Sequence, residues 1–145
     1  MKMQFPSQAW LEKLQEVLNS DARYAKVARN WEGDINFVIL PDKEGDELEE
    51  KVVYYLDLWH GTCREGREID PQREPLPQAK FTLTASLANY RKILEGQLDP
   101  MQAMLTRRLK VEGDMTYMLR NVPVVLDFVR CCRLAMQAEA EDKAG

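Results

Sequence analysis

Gly96-Gln97-Leu98-Asp99-Pro100-Met101-Gln102-Ala103-Met104-Leu105-Thr106-Arg107-Arg108-Leu109-Lys110-Val111-Glu112-Gly113-Asp114-Met115 packs a helix stop, a helix start, a short strand and a second helix start into one stretch. Asp99 before Pro100 reads as an N-cap followed by the first helical residue, because Asp accepts orphan backbone N–H bonds and Pro has no N–H to lose. Asp114 after Gly113 repeats the device. Between them Leu109 and Val111 alternate with Arg108, Lys110 and Glu112, which predicts a half-buried strand over 107–112. Upstream, Lys80-Phe81-Thr82-Leu83-Thr84 predicts a strand. Ser86 then caps a helix that carries Leu87, Tyr90, Ile93 and Leu94 and stops at Gly96. Downstream a short helix is expected over 115–120, with Asn121 as its stop. A last helix opens at Pro123 and runs to about Ala138. From Val122 to Val129 it is apolar almost all round, broken only by Asp127, so it needs apolar neighbours on more than one side.

These residues resemble the sterol carrier protein-2 (SCP2) lipid-transfer family. Its members run from a Thr-rich strand through a helix to Gly-x-Leu/Met-Asp/Asn-Pro, a short apolar helix, a Leu-Lys-Val/Ile strand, Gly-Asp/Asn and a further helix. The likeness is clearest from about Ala79 to Leu126. One departure stands out: where members commonly have Gly-Lys, this chain has Arg107-Arg108, and Arg tolerates a positive φ poorly. The resemblance implies a fold in which helices meet a sheet around an apolar tunnel for fatty acids, fatty acyl-CoAs or sterols. It also implies that the Arg107–Lys110 segment passes near the tunnel mouth.

At 145 residues and 45% apolar content the chain fits one domain with a sizeable core. Its expected parts are a helical hairpin (1–33), a sheet region (34–84), helices with one strand (85–138) and a tail (139–145). No window approaches the ~20 apolar residues of a membrane span, and Met1–Gln8 lacks a signal-peptide core. The expectation is a soluble, cytoplasmic protein. Cys63, Cys131 and Cys132 make no disulfide framework, which agrees with a reducing compartment. Net charge is −4, yet residues 105–133 carry six basic side chains (Arg107, Arg108, Lys110, Arg120, Arg130, Arg133) against three acidic ones. That block suits either an anionic lipid head group or simply a solvated face. The acidic balance, with a pI near 5.1, disfavours nucleic acid.

Toward the N-terminus, Ser7 can cap a helix whose Trp10, Leu11, Leu14, Val17 and Leu18 share one face. Ser20 or Asp21 starts a second helix with Tyr24, Val27, Ala28 and Trp31 inward, stopped by Gly33. Ile35–Leu40 predicts a strand and Pro41–Asp46 a turn. The acidic run Asp46–Glu50 reads as a solvated hairpin end without calcium-loop spacing. Val52–Trp59 is apolar on both faces, as in a central, doubly covered strand. An edge strand over part of Thr62–Ile69 and a Pro-rich connection to Gln78 complete the sheet region.

Helices 100–105, 115–120 and 122–136 present Met101, Met104, Leu105, Met115, Met118, Leu119, Val122, Val125, Leu126, Val129 and Met136. Methionine is unbranched and polarizable, so such a wall can re-pack around ligands of different shape. On the residues alone an ordinary core is the default. With the resemblance, the first ten of these are expected to line the tunnel, with Arg108 and Lys110 as a head-group rim. No catalytic residue, metal or cofactor is expected. His60 and Cys63 form H-x-x-C without the remaining zinc ligands, and adjacent Cys131 and Cys132 point differently on a helix. Asp57 and Asp127 are carboxylates inside apolar segments, expected to reach solvent or to pair with an Arg such as Arg130.

The sequence therefore predicts an α+β domain: a largely antiparallel sheet of about five strands, helices over one face, and an apolar tunnel. The expected function is non-enzymatic binding and transfer of a hydrophobic small molecule, with transient membrane contact and a homodimer as open options. The alternative is an accessory subunit whose apolar C-terminal helix docks a partner or a second copy.

Overall fold

The computed structural model describes residues 4–42, 48 and 50–137. In chain order the elements are α1 (Gln8–Ser20), α2 (Ala22–Val27), β1 (Ile35–Leu40), β2 (Val52–Trp59), β3 (Thr62–Ile69), β4 (Phe81–Ser86), α3 (Leu87–Leu94), α4 (Pro100–Leu105), β5 (Lys110–Gly113), α5 (Met115–Arg120) and α6 (Val122–Gln137). Most of the acidic run after Asp42, Ala138 and the 139–145 tail lie outside the described residues.

Local chemistry sets the boundaries. Ser7, Asp21, Ser86, Asp99 and Asp114 each accept a backbone N–H of the first helical turn of α1, α2, α3, α4 and α5 respectively. Gly96 takes a left-handed φ of 81° just past α3. Gly113 is needed for space as well: at its φ of 135°, an added Cβ would lie 2.2 Å from the Lys80 carbonyl oxygen. The β2–β3 hairpin turns on His60 and Gly61, both at positive φ, the conformation that two-residue hairpin turns require.

The sheet order is β3-β2-β1-β4-β5, antiparallel throughout except for the parallel pair β1–β4. β1, rather than β2, is the middle strand. Ile35, Phe37, Ile39, Tyr54, Leu56, Leu58 and Phe81 face the helices and join one core with Trp10, Leu14, Leu18, Tyr24, Trp31, Leu87, Tyr90, Phe128 and Cys132. On the other face Val38, Val53 and Ile69 form a small cluster with Tyr55. The segment 70–80 lies over part of it, the Asn36 amide donating to the Pro77 carbonyl at 2.7 Å. The outer face of β2 is covered only in part, with Val53 buried, Tyr55 and Asp57 half-buried and Trp59 exposed.

α6 spends its apolar surface on α1, α2, α3 and α5. The Trp10 indole donates to the Cys132 carbonyl at 3.2 Å, fixing α1 to α6. Asp127, only 5% exposed, is met by Arg130 at 2.8 Å, and Arg130 also reaches Asp21 at 2.7 Å, so one guanidinium ties α6 to the start of α2. Three expectations need correction. α2 ends at Val27, because the chain turns at 28–30; Trp31 is buried beyond the helix and Gly33 is not its left-handed stop. β3 is a full eight-residue edge strand. β5 begins at Lys110, because Arg107 adopts φ 59° and turns the chain out of extended geometry.

Candidate functional site

The middle of the sheet and the C-terminal helices do not close completely on each other. A cavity of about 60 Å³ remains, lined by Phe37, Leu83, Tyr90, Ile93, Leu94, Pro100, Met104, Leu109, Met118, Val125, Phe128, Val129 and Cys132. A second, of about 40 Å³, is lined by Tyr24, Trp31, Ile35, Leu58, Leu83, Met118, Val124, Val125 and Phe128. Leu83, Met118, Val125 and Phe128 border both, so four side chains partition a single interior space. Phe37, Tyr90, Leu94 and Cys132 also border a third, smaller space of about 10 Å³ beside Phe5 and Trp10.

The sheet supplies one wall through its inward alternation, Phe37 from β1 and Leu83 from β4. α3 supplies Tyr90, Ile93 and Leu94 from its buried face. The wall carries no charged side chain. The Tyr90 hydroxyl donates to the Leu83 carbonyl at 2.7 Å, and burial holds its phenol well above the ordinary value. The Cys132 thiol is likewise pushed up by burial and stays neutral. Such a lining binds an apolar group by excluding water.

Of the tunnel residues expected from sequence, Met104, Met118, Val125 and Val129 line the first cavity. Met101 and Val122 are half-buried and lie off it. Met115 faces a surface groove of about 340 Å³ with Met104, Arg107, Leu109, Lys110 and Val111. Leu105, Leu119 and Leu126 point outward, 81%, 57% and 41% exposed, because each sits on the side of its helix away from the core. At the expected rim, the Arg108 Nε donates to the Thr106 hydroxyl at 3.0 Å, and the Lys110 ammonium lies 3.8 Å from Glu112. Arg107, not Arg108, shares the groove with Lys110, since residues 107 and 108 precede the strand and its alternation does not reach them. Sequence reasoning missed the sheet and α3 side of the wall, although the parity of β1 and β4 and the Tyr90–Ile93–Leu94 face already aimed those residues inward.

Elsewhere the polar candidates are engaged locally. His60 is exposed on its turn with Nε2 2.6 Å from Glu32, whereas Cys63 is buried, its thiol donating to the Glu65 carbonyl and pushed up to about 12 by burial. Asp57 pairs with Arg64 at 3.0 Å. Asp21, Asp127 and Cys131 approach one another, but Arg130 already bonds to both carboxylates. Among the described residues no helix is long and apolar enough to cross a membrane.

The order of elements, the mixed sheet and the apolar space beneath α4–α6 coincide with a known family: residues 11–125 match the SCP-2 sterol transfer family. The chain belongs to that family. A crystal structure of sterol carrier protein 2 superposes with TM-score 0.79 at 28% identity, over 90% of this chain and 98% of the other. A conserved protein of Thermus thermophilus, described as possibly a sterol carrier protein, gives 0.79 at 27% identity, over 95% and 94%. The sterol carrier protein domain 2 of Helicoverpa armigera shares the fold at TM-score 0.58 and 15% identity, over 97% and 99%. No curated protein matches the sequence. Family membership implies binding and transfer of hydrophobic lipid molecules in general terms.

Proposed function

We propose that this chain binds a single lipid, a fatty acid, fatty acyl-CoA or sterol-like molecule, with its apolar part between the sheet and the α3–α6 layer, and carries it without chemical conversion. The observation that carries this reading is the pair of largely apolar cavities sharing Met118, Leu83, Val125 and Phe128. At about 60 and 40 Å³ they are far smaller than the ~300 Å³ at which ligand pockets begin. Ligand uptake therefore requires the partition to move. Met118, with flexible torsions and sulfur adaptable to aromatic neighbours, is the side chain suited to do so. Met104 and Val129 extend the wall, and Met101, Leu105, Met115, Leu119, Val122 and Leu126 belong to the helices that part around the ligand. Lys110 stands at the rim with Arg107 beside it in place of the expected Arg108.

Native mass spectrometry of the purified chain tests this reading. The expected result is a monomer carrying one lipid, or taking up one added lipid. A stoichiometric dimer that takes up no lipid would support the docking role of α6 instead.

A further inference from the structure

The surface groove beside the first cavity has two of its walls in common with it, Met104 and Leu109. A single-chain molecule whose tail occupies the cavity and whose head remains in water therefore has this groove as an adjoining seat. The groove is amphipathic: Met104, Leu109, Val111 and Met115 on one hand, Arg107 and Lys110 on the other, with the Glu112 carboxylate outside its lining at 3.8 Å from Lys110.

Arg107 is the unusual member. Its φ of 59° lies in the left-handed region, where a side chain with a Cβ costs free energy that glycine would not. Its backbone N–H is bonded to the Met104 carbonyl at 3.2 Å, which holds the turn in place. Among the described residues its guanidinium has neither hydrogen-bond nor ion-pair partner, while neighbouring Arg108 is engaged with Thr106. Strain retained by a residue whose charged end is unused within the fold has the character of a binding position. A planar fork of five donors suits a carboxylate or a phosphate oxygen pair.

Resting on the lipid reading above, we propose that Arg107, assisted by Lys110, is a specificity-determining residue that selects lipids with an anionic head. The shared chemistry is an oxyanion on a single apolar chain, whether a fatty acid carboxylate or the phosphates of an acyl-CoA.

The test is equilibrium binding of palmitate, palmitoyl-CoA and uncharged hexadecanol to the full chain and to Arg107→Gln and Arg107→Gly, at low and high salt. For the unsubstituted chain, anionic-ligand affinity should fall as salt rises. Both variants should weaken at least one anionic ligand about five- to tenfold at low salt, as expected for a lost charge-assisted contact, and leave hexadecanol unchanged. Loss for palmitate alone assigns the carboxylate, and loss for palmitoyl-CoA alone assigns the phosphates. Arg107→Gly should at the same time raise the melting temperature, which separates lost recognition from lost folding. If palmitate and palmitoyl-CoA bind both variants as tightly as before, or if hexadecanol weakens equally, the assignment is overturned while lipid binding stands. If none of the three binds the unsubstituted chain, the lipid reading falls and this inference with it.

Discussion

Arg130 shows how one side chain can govern the response of the fold to acid. Its guanidinium bridges Asp127, buried on α6, and Asp21, the N-cap of α2. Bonding to Arg130 and to the Tyr24 backbone N–H holds the Asp21 carboxyl below its ordinary value of 3.8. A carboxyl depressed in the folded state contributes stability above its unfolded value, and that contribution is lost as pH falls below about 4 toward the folded value. Arg130→Met leaves Asp127 with only the exposed Arg23, 3.3 Å away, and Asp21 without a guanidinium, for an expected loss of about 1–3 kcal/mol at pH 7. Urea denaturation between pH 2.5 and 7 checks both parts: the variant should be less stable at neutral pH and show a shallower decline with acid. Equal slopes would mean that Asp21 does not draw on Arg130. The sequence exposed only half of this network. The i, i+3 spacing of Asp127 and Arg130 is legible on a helix, whereas the reach from Arg130 back to Asp21 crosses most of the chain and depends on how α2 packs against α6.

At the scale of elements, the caps were the most legible features, because the interactions that fix a helix start lie within a few residues. Asp99-Pro100 and Gly113-Asp114 put the starts of α4 and α5 where local chemistry predicts. The end of α2 was not legible: Ala28–Asn30 is compatible with helix, and the turn there is set by burying Trp31 against Phe81 and Tyr117. Nor does the Met-rich pattern of α4 and α5 reveal which methionines face inward, since helices of six residues have too few turns for periodicity to decide. Met118 on α5 is the one that borders both cavities. Met118→Trp should fill them. Overpacking ordinarily costs about 1–3 kcal/mol, partly offset here by the empty space, so thermal unfolding should stay cooperative while lipid uptake is lost. Unfolding of the variant would show that this position is closely packed core. Undiminished binding would show that the partition is not the ligand's path.

For the whole molecule, the mixed sheet with helices massed on one face followed from the order of strand and helix patterns and from the SCP2-like motif. The partition between the two cavities that Met118 borders did not. It depends on how closely Leu83, Phe128 and Val125, from the sheet and α6, approach Met118. A protein that binds a lipid only by parting these groups gains stability from the ligand: at a hundredfold excess over Kd the linkage amounts to about 2.7 kcal/mol, readable as a raised melting temperature. The central claim, that the space between sheet and helices holds one lipid, is tested most directly by titrating the delipidated chain with a fluorescent fatty acid and displacing it with unlabelled lipids. Apolar burial at ~25 cal/mol per Å² brings a long acyl chain within reach of micromolar affinity. The expected result is saturable one-to-one binding at micromolar or tighter affinity, reversed by unlabelled acyl chains. Absence of saturable binding across fatty acids, acyl-CoAs and sterols would contradict it.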